Sequence, residues 1–434
     1  MGNLIGKDGR LFAEQQPGPD EVRFKVDNTS QAYFKSPYYE LHQKQLQPVP
    51  EPTTDPPRMN LSDILDDPTI AAIAAAKKIS FHSVGDTGAA KLTGPETQES
   101  VADMMAADVQ SGGTDAPSFF FHLGDVIYYF GESQYYYDQF YEPYRAYDRP
   151  IFAIPGNHDG MVHDPTVPTL KAFLVNFCAT QPGQSPDAGE LVRSTMSQPG
   201  VYFTLDAPMV SVIGLYSNVL EGPGVISSQG GRYPISDAQL NFLQTELSRL
   251  KPSREAGERA VIVAVHHPPL SADAKHGGST GLSNDIQTAS QKAGLWPDAV
   301  LSGHAHLYQR FTRHVNGQDI PYITSGSGGF AATKPLGTTP KAPYTFDGCT
   351  LEIDPVIEFG YLTLTVDMSS ATRLLTISFN SPKLGPKYDT VTVDLDQKKI
   401  IQNAAPAKTS RPTKPVRNPR RTVSRSPKRP KRGG

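Results

Sequence analysis

Cysteine is nearly absent: the 434-residue chain has two, Cys178 and Cys349, far apart and outside any C-x-x-C spacing. That excludes a disulfide framework and a cysteine-bound zinc, and leaves both as small apolar residues. Also missing is any apolar run approaching the ~20 residues that a bilayer crossing needs. Met1 to Ala13 carries charges at Lys7, Asp8 and Arg10 and no apolar run of secretory-leader length, so the expected compartment is the cytoplasm. The net charge of −3 is small as well, but it hides a separation. Eleven of the 41 basic residues, and no acid, lie between Lys408 and Gly434, leaving 30 basic against 44 acidic residues before them. What is present, 38% hydrophobic and 20% charged residues, is the composition of a globular chain with one large or two ordinary domains.

Proline gathers between Pro48 and Pro57, where its fixed φ and missing donor favour an extended connector. Residues 1–58 therefore read as an N-terminal extension, with a short strand at Val22 to Val26, ending in a Pro-rich linker. Asp67 as N-cap and Pro68 as first helical residue open a short helix to Lys77. Residues 59–400 are the expected folded domain. Strands at Ile79–Val84, Ser118–Leu123 and Ile151–Ile154 alternate with helices at Glu96–Gln110 and Gln134–Tyr147. A helix follows around Leu170 to Cys178, then antiparallel strands at Val201–Leu205 and Val210–Leu215. Ser236 and Gln239 predict a capping box for a helix to Leu250. Further strands end at His266 and Gly303, and hairpins turn at Asn316-Gly317 and near Met368 to Thr372. The order predicts an α+β (αββα) fold: two mixed β-sheets packed face to face and flanked by helices, with ligands at strand C-terminal ends. From residue 401 to 434 apolar residues give way to Pro, Ser and Arg, which predicts a disordered basic tail with nonspecific attraction to anionic partners.

Five strand ends present polar residues of one chemical kind: Asp86; Asp125 with Tyr128; Asn157 with His158; His266; and His304 with His306. All are oxygen or imidazole donors, suited to iron, manganese, zinc or magnesium, and they exceed what one ion needs. Two metals is the economical reading.

In this order, Gly-Asp-x-Gly, Gly-Asp-x-x-Tyr, Gly-Asn-His-Asp, Val-x-x-His and Gly-His-x-His resemble the five signature blocks of calcineurin-like metallophosphoesterases, and specifically the purple acid phosphatase branch. The similarity spans Ile79 to Gly329, including the glycine-rich Tyr322–Gly329. The resemblance implies that Asp125 bridges two metals, that Asp86, Tyr128 and His306 complete the first, and that Asn157, His266 and His304 complete the second. Two carboxylates and a phenolate suit Fe(3+), because a tyrosine of pKa ~10 gives up its proton near neutral pH only to a strongly charged ion. A neutral amide and two imidazoles suit a divalent Zn, Mn or Fe. Many members of the superfamily have Asp-x-His in the first block. Here Gly88 stands at that His, and Tyr128 is the residue that could replace it, provided that it, and not Tyr129, points inward.

The implied activity is hydrolysis of a phosphate ester, with the dinuclear centre activating hydroxide for in-line attack on phosphorus. The resemblance gives His158 the role of general acid, and Asp159, adjacent to it, reads as the partner that orients it rather than as a metal ligand. His276, in a glycine-rich loop after a ligand strand, is a further catalytic candidate, and His267 lines or backs the pocket. His82 and His122, inside strands, read as hydrogen-bonded core histidines, and the tyrosines at 135, 136, 137, 141 and 144 as helix packing. Pocket walls are expected from the loops after Gly131, between Thr180 and Gln198, and between Leu220 and Gly231. The alternatives to a phosphomonoesterase are a phosphodiesterase or nucleotide hydrolase of the same superfamily, or a catalytically silent metal-binding scaffold recruited through its basic tail.

Overall fold

A computed structural model describes residues 24–404 apart from 26, 37–38, 40–46, 89–95, 114, 165 and 218–221. The basic tail and most of the expected strand at Val22 to Val26 lie outside the described residues. Short apolar runs too brief for helices form the strands, and the site hangs on five of them. These are β1 (Lys78–Val84), β2 (Phe120–His122), β3 (Ile151–Ala153), β4 (Ala260–Val265) and β5 (Ala299–Ser302). β1, β2 and β3 are parallel neighbours, with His82 paired to Phe120 and Phe120 to Ile151. They extend on the β1 side into the antiparallel strands Tyr361–Asp367, Leu374–Ser381, Gly385–Asp394 and Lys399–Ala404, a sheet of seven among the described residues. β4 and β5 lie in a second sheet, parallel to each other and to Val210–Leu215 and Gln318–Ser325.

Burial of β1 on both faces explains its unbroken pattern. Its inner face places Phe81 in the shared core, stacked on Phe119 at 4.6 Å. On its outer face His82 meets Tyr147, Tyr361 and Asp108 of the helix Glu96–Gln110. The two sheets face each other closely at Gly214, where a Cβ would come within 2.7 Å of Ile154 and 3.0 Å of Phe121 on the opposite sheet. Further along, buried Arg310 of the second sheet forks onto Asp389 of the first (2.7 and 3.0 Å), which also accepts from Tyr308 Oη at 2.6 Å. Such a pair specifies how the sheets register more than it stabilises them. The helices Ala238–Glu255 and Thr280–Ala293 cover the second sheet, with Arg254 tied to buried Asp298.

Several local expectations shift. The helix expected to begin after Asp67 spans Asp67–Ala76 and is capped by Asp66, whose side chain accepts from Thr69 N. Gln239 forms no capping box. Its amide instead pairs with both backbone groups of Tyr216 (2.8 and 2.7 Å), fixing the end of a strand. Between Ser133 and Tyr141 the predicted helix is a 3-10 turn followed by a π-helical stretch, with Glu142 N bonding Tyr137 O. Tyr136, Phe140, Tyr141 and Tyr144 are all buried, packing as the helix reading expects. The last strand continues beyond residue 400, to Ala404.

Candidate metal centre

Each of the five strands breaks sharply where its apolar run ends. Asp86, Asp125 and His304 all have positive φ (59°, 53° and 66°), a backbone region that non-glycine residues enter only when their surroundings hold them there. The turns fold these side chains back into one buried space between the sheets. Tyr128 Oη lies 2.9 Å from Asp86 Oδ1, 2.9 Å from Asp125 Oδ2 and 3.3 Å from His306 Nε2. Beside it, Asn157 Oδ1 lies 3.1 Å from His266 Nε2 and 3.0 Å from His304 Nδ1. Asp125 Oδ2 reaches the second group as well, 3.4 Å from His266 Nε2. The seven candidate ligands thus form two clusters sharing Asp125. Among the described residues, Asp125, His266 and His304 each bring a ligand atom within 4.8 Å of the others, the spacing of a metal-binding group.

The oxygens that face away from the centre are held by backbone. Asp86 Oδ2 accepts from His304 N and Asp125 Oδ1 from His158 N, both at 2.8 Å. His266 Nδ1 is held by the Leu123 carbonyl at 2.8 Å, which directs Nε2 into the site. Gly156 is required for this approach, since a Cβ there would overlap Asp125.

The electrostatics fit cations. Burial works against a charged His266, yet the Asp125 and Asp86 carboxylates overcome it and raise its pKa to about 9. Burial opposes the charge of Asp125 too, but His266 and His158 hold its pKa below the ordinary 3.8. Tyr128 is pushed well above 10.0 by burial and by the two carboxylates it touches. A phenolate there therefore requires a strongly charged ion. Burial and the neighbouring imidazoles keep His304 far below 6.5, the neutral form a metal takes.

Tyr128, not Tyr129, points inward. Its backbone N–H and C=O both pair with the Gln139 amide (2.8 and 2.6 Å), and Phe330 stacks on its ring at 3.5 Å. The ring occupies the space beside Gly88: a Cβ on residue 88 would lie 3.0 Å from Tyr128, 2.8 Å from Ile127 and 2.5 Å from Gln139 Oε1. Gly88→Ala is therefore expected to cost about 1–3 kcal/mol by overpacking, read as a lower midpoint of thermal unfolding.

The flanking residues divide differently from the expectation. Asp159 accepts from the N–H groups of Gly156 (2.8 Å), Val126 (3.0 Å) and Ile127 (3.4 Å), and so braces the two ligand loops instead of His158. Burial beside Asp125 pushes its pKa up to about 7. His158 Nδ1 is held by the Tyr129 carbonyl at 2.8 Å, because neighbouring positions on the one-turn helix Asn157–Gly160 point to different sides. His276 sits 4.6 Å, ring to ring, from His304 and 5.0 Å from His306. Its Nδ1 meets Asp273 Oδ2 at 2.8 Å, and Thr333 donates to the same oxygen. His267 lies against His304 at 4.1 Å with Nδ1 on Ser217 Oγ, behind the ligands. His122 pairs with Thr87 Oγ1 and accepts from Gly124 N, a core role like that of His82. Sequence reasoning missed Phe330, Gln139, Asp273 and Thr333. Only Asp273, three residues from His276, left a local signal. Of the loop between Thr180 and Gln198, Pro182 and Leu191 to Met196 line a cavity of about 640 Å³ beside Pro150 and Ile151, at the opposite end of β3, while Asp187 accepts from Ser133 Oγ in the loop after Gly131.

Residues 81–308, more than half of the chain, match the family described as calcineurin-like phosphoesterase. The chain belongs to the calcineurin-like phosphoesterase family. Tartrate-resistant acid phosphatase type 5 of *Rattus norvegicus* is 25% identical over 266 residues, 59% of this chain and 74% of that protein. The *Mus musculus* protein of the same name matches to the same extent, 25% over 266 residues. A purple acid phosphatase from yellow lupin (*Lupinus luteus*) seeds shares the fold with a TM-score of 0.50 at 16% identity. That match covers 73% of this chain, which spans 54% of the lupin structure's length. This chain is thus a calcineurin-like phosphoesterase with similarity to acid phosphatases, relatives that imply a dinuclear metal site.

Proposed function

We propose that this phosphoesterase hydrolyses phosphomonoesters at a mixed-valent centre. Asp86, Tyr128 and His306 would hold Fe(3+), and Asn157, His266 and His304 a divalent Zn, Mn or Fe, with Asp125 shared. The observation that carries this reading is Tyr128 Oη within 2.9 Å of both buried carboxylates. Three anionic oxygens on one side and neutral donors on the other favour ions of unequal charge. Two such ions, when bound, would supply an activated hydroxide for in-line attack and offset negative charge on the phosphoryl oxygens. His158, pinned through Nδ1, gives its Nε2 proton to the leaving oxygen. His276, oriented by Asp273, holds phosphoryl oxygens from the other side. Of the alternatives, the scaffold reading has no use for a retained His158 and His276.

The test is the visible spectrum of aerobically purified protein with metal analysis. A phenolate-to-ferric charge-transfer band is expected in the native protein and lost in Tyr128→Phe. A colourless zinc or manganese protein with turnover would remove the iron assignment and leave the hydrolase standing. Nonspecific attraction of the basic tail to anionic partners, and a cytoplasmic location, belong to the same proposal. No helix among the described residues is long and apolar enough to cross a membrane.

A further inference from the structure

The loop that carries His276 is held by residues some 250 positions away in the chain. Ser271 N, five residues before His276, donates to the Phe24 carbonyl at 2.9 Å. On the other side of His276, Asn28 is fully buried and makes two side-chain bonds: Nδ2 donates to Ser279 Oγ (3.1 Å) and Oδ1 accepts from Gly281 N (2.7 Å). Ser279 in turn caps the helix Thr280–Ala293 through Leu282 N and donates to the Gly224 carbonyl at 2.7 Å. Gly278 passes directly beneath Phe24, whose carbonyl a Cβ would meet. The segment is itself anchored. The Phe24 ring packs edge-on against Phe311 at 5.0 Å, and Tyr233 Oη donates to the Asn28 carbonyl at 2.9 Å.

We propose that Phe24 and Asn28 together act as a strap that positions the catalytic site: they pin both ends of the 271–279 loop and so keep His276 against His304 and His306. One bond before His276 and two after it restrict the loop's backbone without touching substrate, so Asn28 is a positioning residue acting through His276. A glycine-rich loop without those anchors samples many conformations, and a displacement near 1 Å is enough to lose much of a substrate contact. This inference rests on the proposed function of the site.

The experiment combines hydrogen–deuterium exchange with a double-mutant cycle on the full chain, using 4-nitrophenyl phosphate. Asn28→Ala is expected to raise amide exchange across residues 272–279 and to lower kcat/KM on the order of tenfold, with both metals retained. Asn28→Asp, which keeps the acceptor for Gly281 N, is expected to recover part of the loss and serves if the alanine variant does not fold. In a His276→Ala background, Asn28→Ala should cause no further loss. Unchanged exchange at 272–279 in both variants, or an equal loss in both backgrounds, overturns the strap. Should the native protein turn over no phosphate ester, the functional reading fails, and the exchange result alone decides whether the strap exists.

Discussion

Asp125→Asn is expected to lower kcat on the order of a thousandfold or more and to leave fewer than two metals per chain. Asp125 is the one ligand that reaches both clusters, so its charge is felt on each side. The substitution removes that charge and also breaks the hydrogen-bond pattern. Oδ2 meets Tyr128 Oη at 2.9 Å and His266 Nε2 at 3.4 Å, while Oδ1 accepts from His158 N at 2.8 Å. An asparagine has one acceptor and one donor at these two positions. With its NH2 turned to His158 N two buried donors meet, which costs about 1–3 kcal/mol; turned the other way, the NH2 replaces the anionic oxygen that Tyr128 Oη and His266 Nε2 face. His266 loses the carboxylate that raises its pKa to about 9. Metal analysis, kcat on 4-nitrophenyl phosphate and thermal unfolding separate the effects, since the loss of turnover should far exceed the loss of stability. A variant that kept two metals and native kcat would remove Asp125 from the centre.

The five ligand-bearing turns were legible because each is a local event. An apolar run such as Val261 to Val265 must end where its backbone leaves the sheet, and the polar residue at that break is read directly from the chain. The turn at Asn316-Gly317 is local in the same sense; its φ values of 50° and 73° suit the two residues present. What escaped depended on contacts between distant segments. Gln239 matched a capping pattern, yet its amide is taken by Tyr216, because two buried backbone groups at a strand end outweigh one exposed helix end. Asp159 was assigned to His158 by adjacency alone, whereas the two loops beside it supply three amides that need an acceptor. The loop between Thr180 and Gln198 follows the site in sequence but returns to the start of β3, a distinction that no local pattern encodes.

His158→Ala is expected to lower kcat by about 10²–10⁴ while both metals stay bound. The substitution isolates the ring, because the backbone N–H that holds Asp125 is unchanged. Its effect should depend on the leaving group. A 4-nitrophenolate departs without a proton and loses little, whereas an alkoxide needs one, so the ratio of aryl to alkyl phosphate turnover should rise sharply in the variant. The pH dependence has a definite sign. Burial lowers the His158 pKa from 6.5, partly offset by Asp125. A general acid acts in its protonated form, so its contribution is present in acid and is lost as pH rises through that lowered value. The corresponding fall in kcat for an alkyl phosphate should vanish in His158→Ala. Asn157→Ala is the control on the neighbouring residue: it should lose the divalent metal, with turnover restored by added metal, which His158→Ala cannot show. If the alanine at 158 also lost metal and recovered with it, the histidine would be a ligand and the proton would have to come from elsewhere.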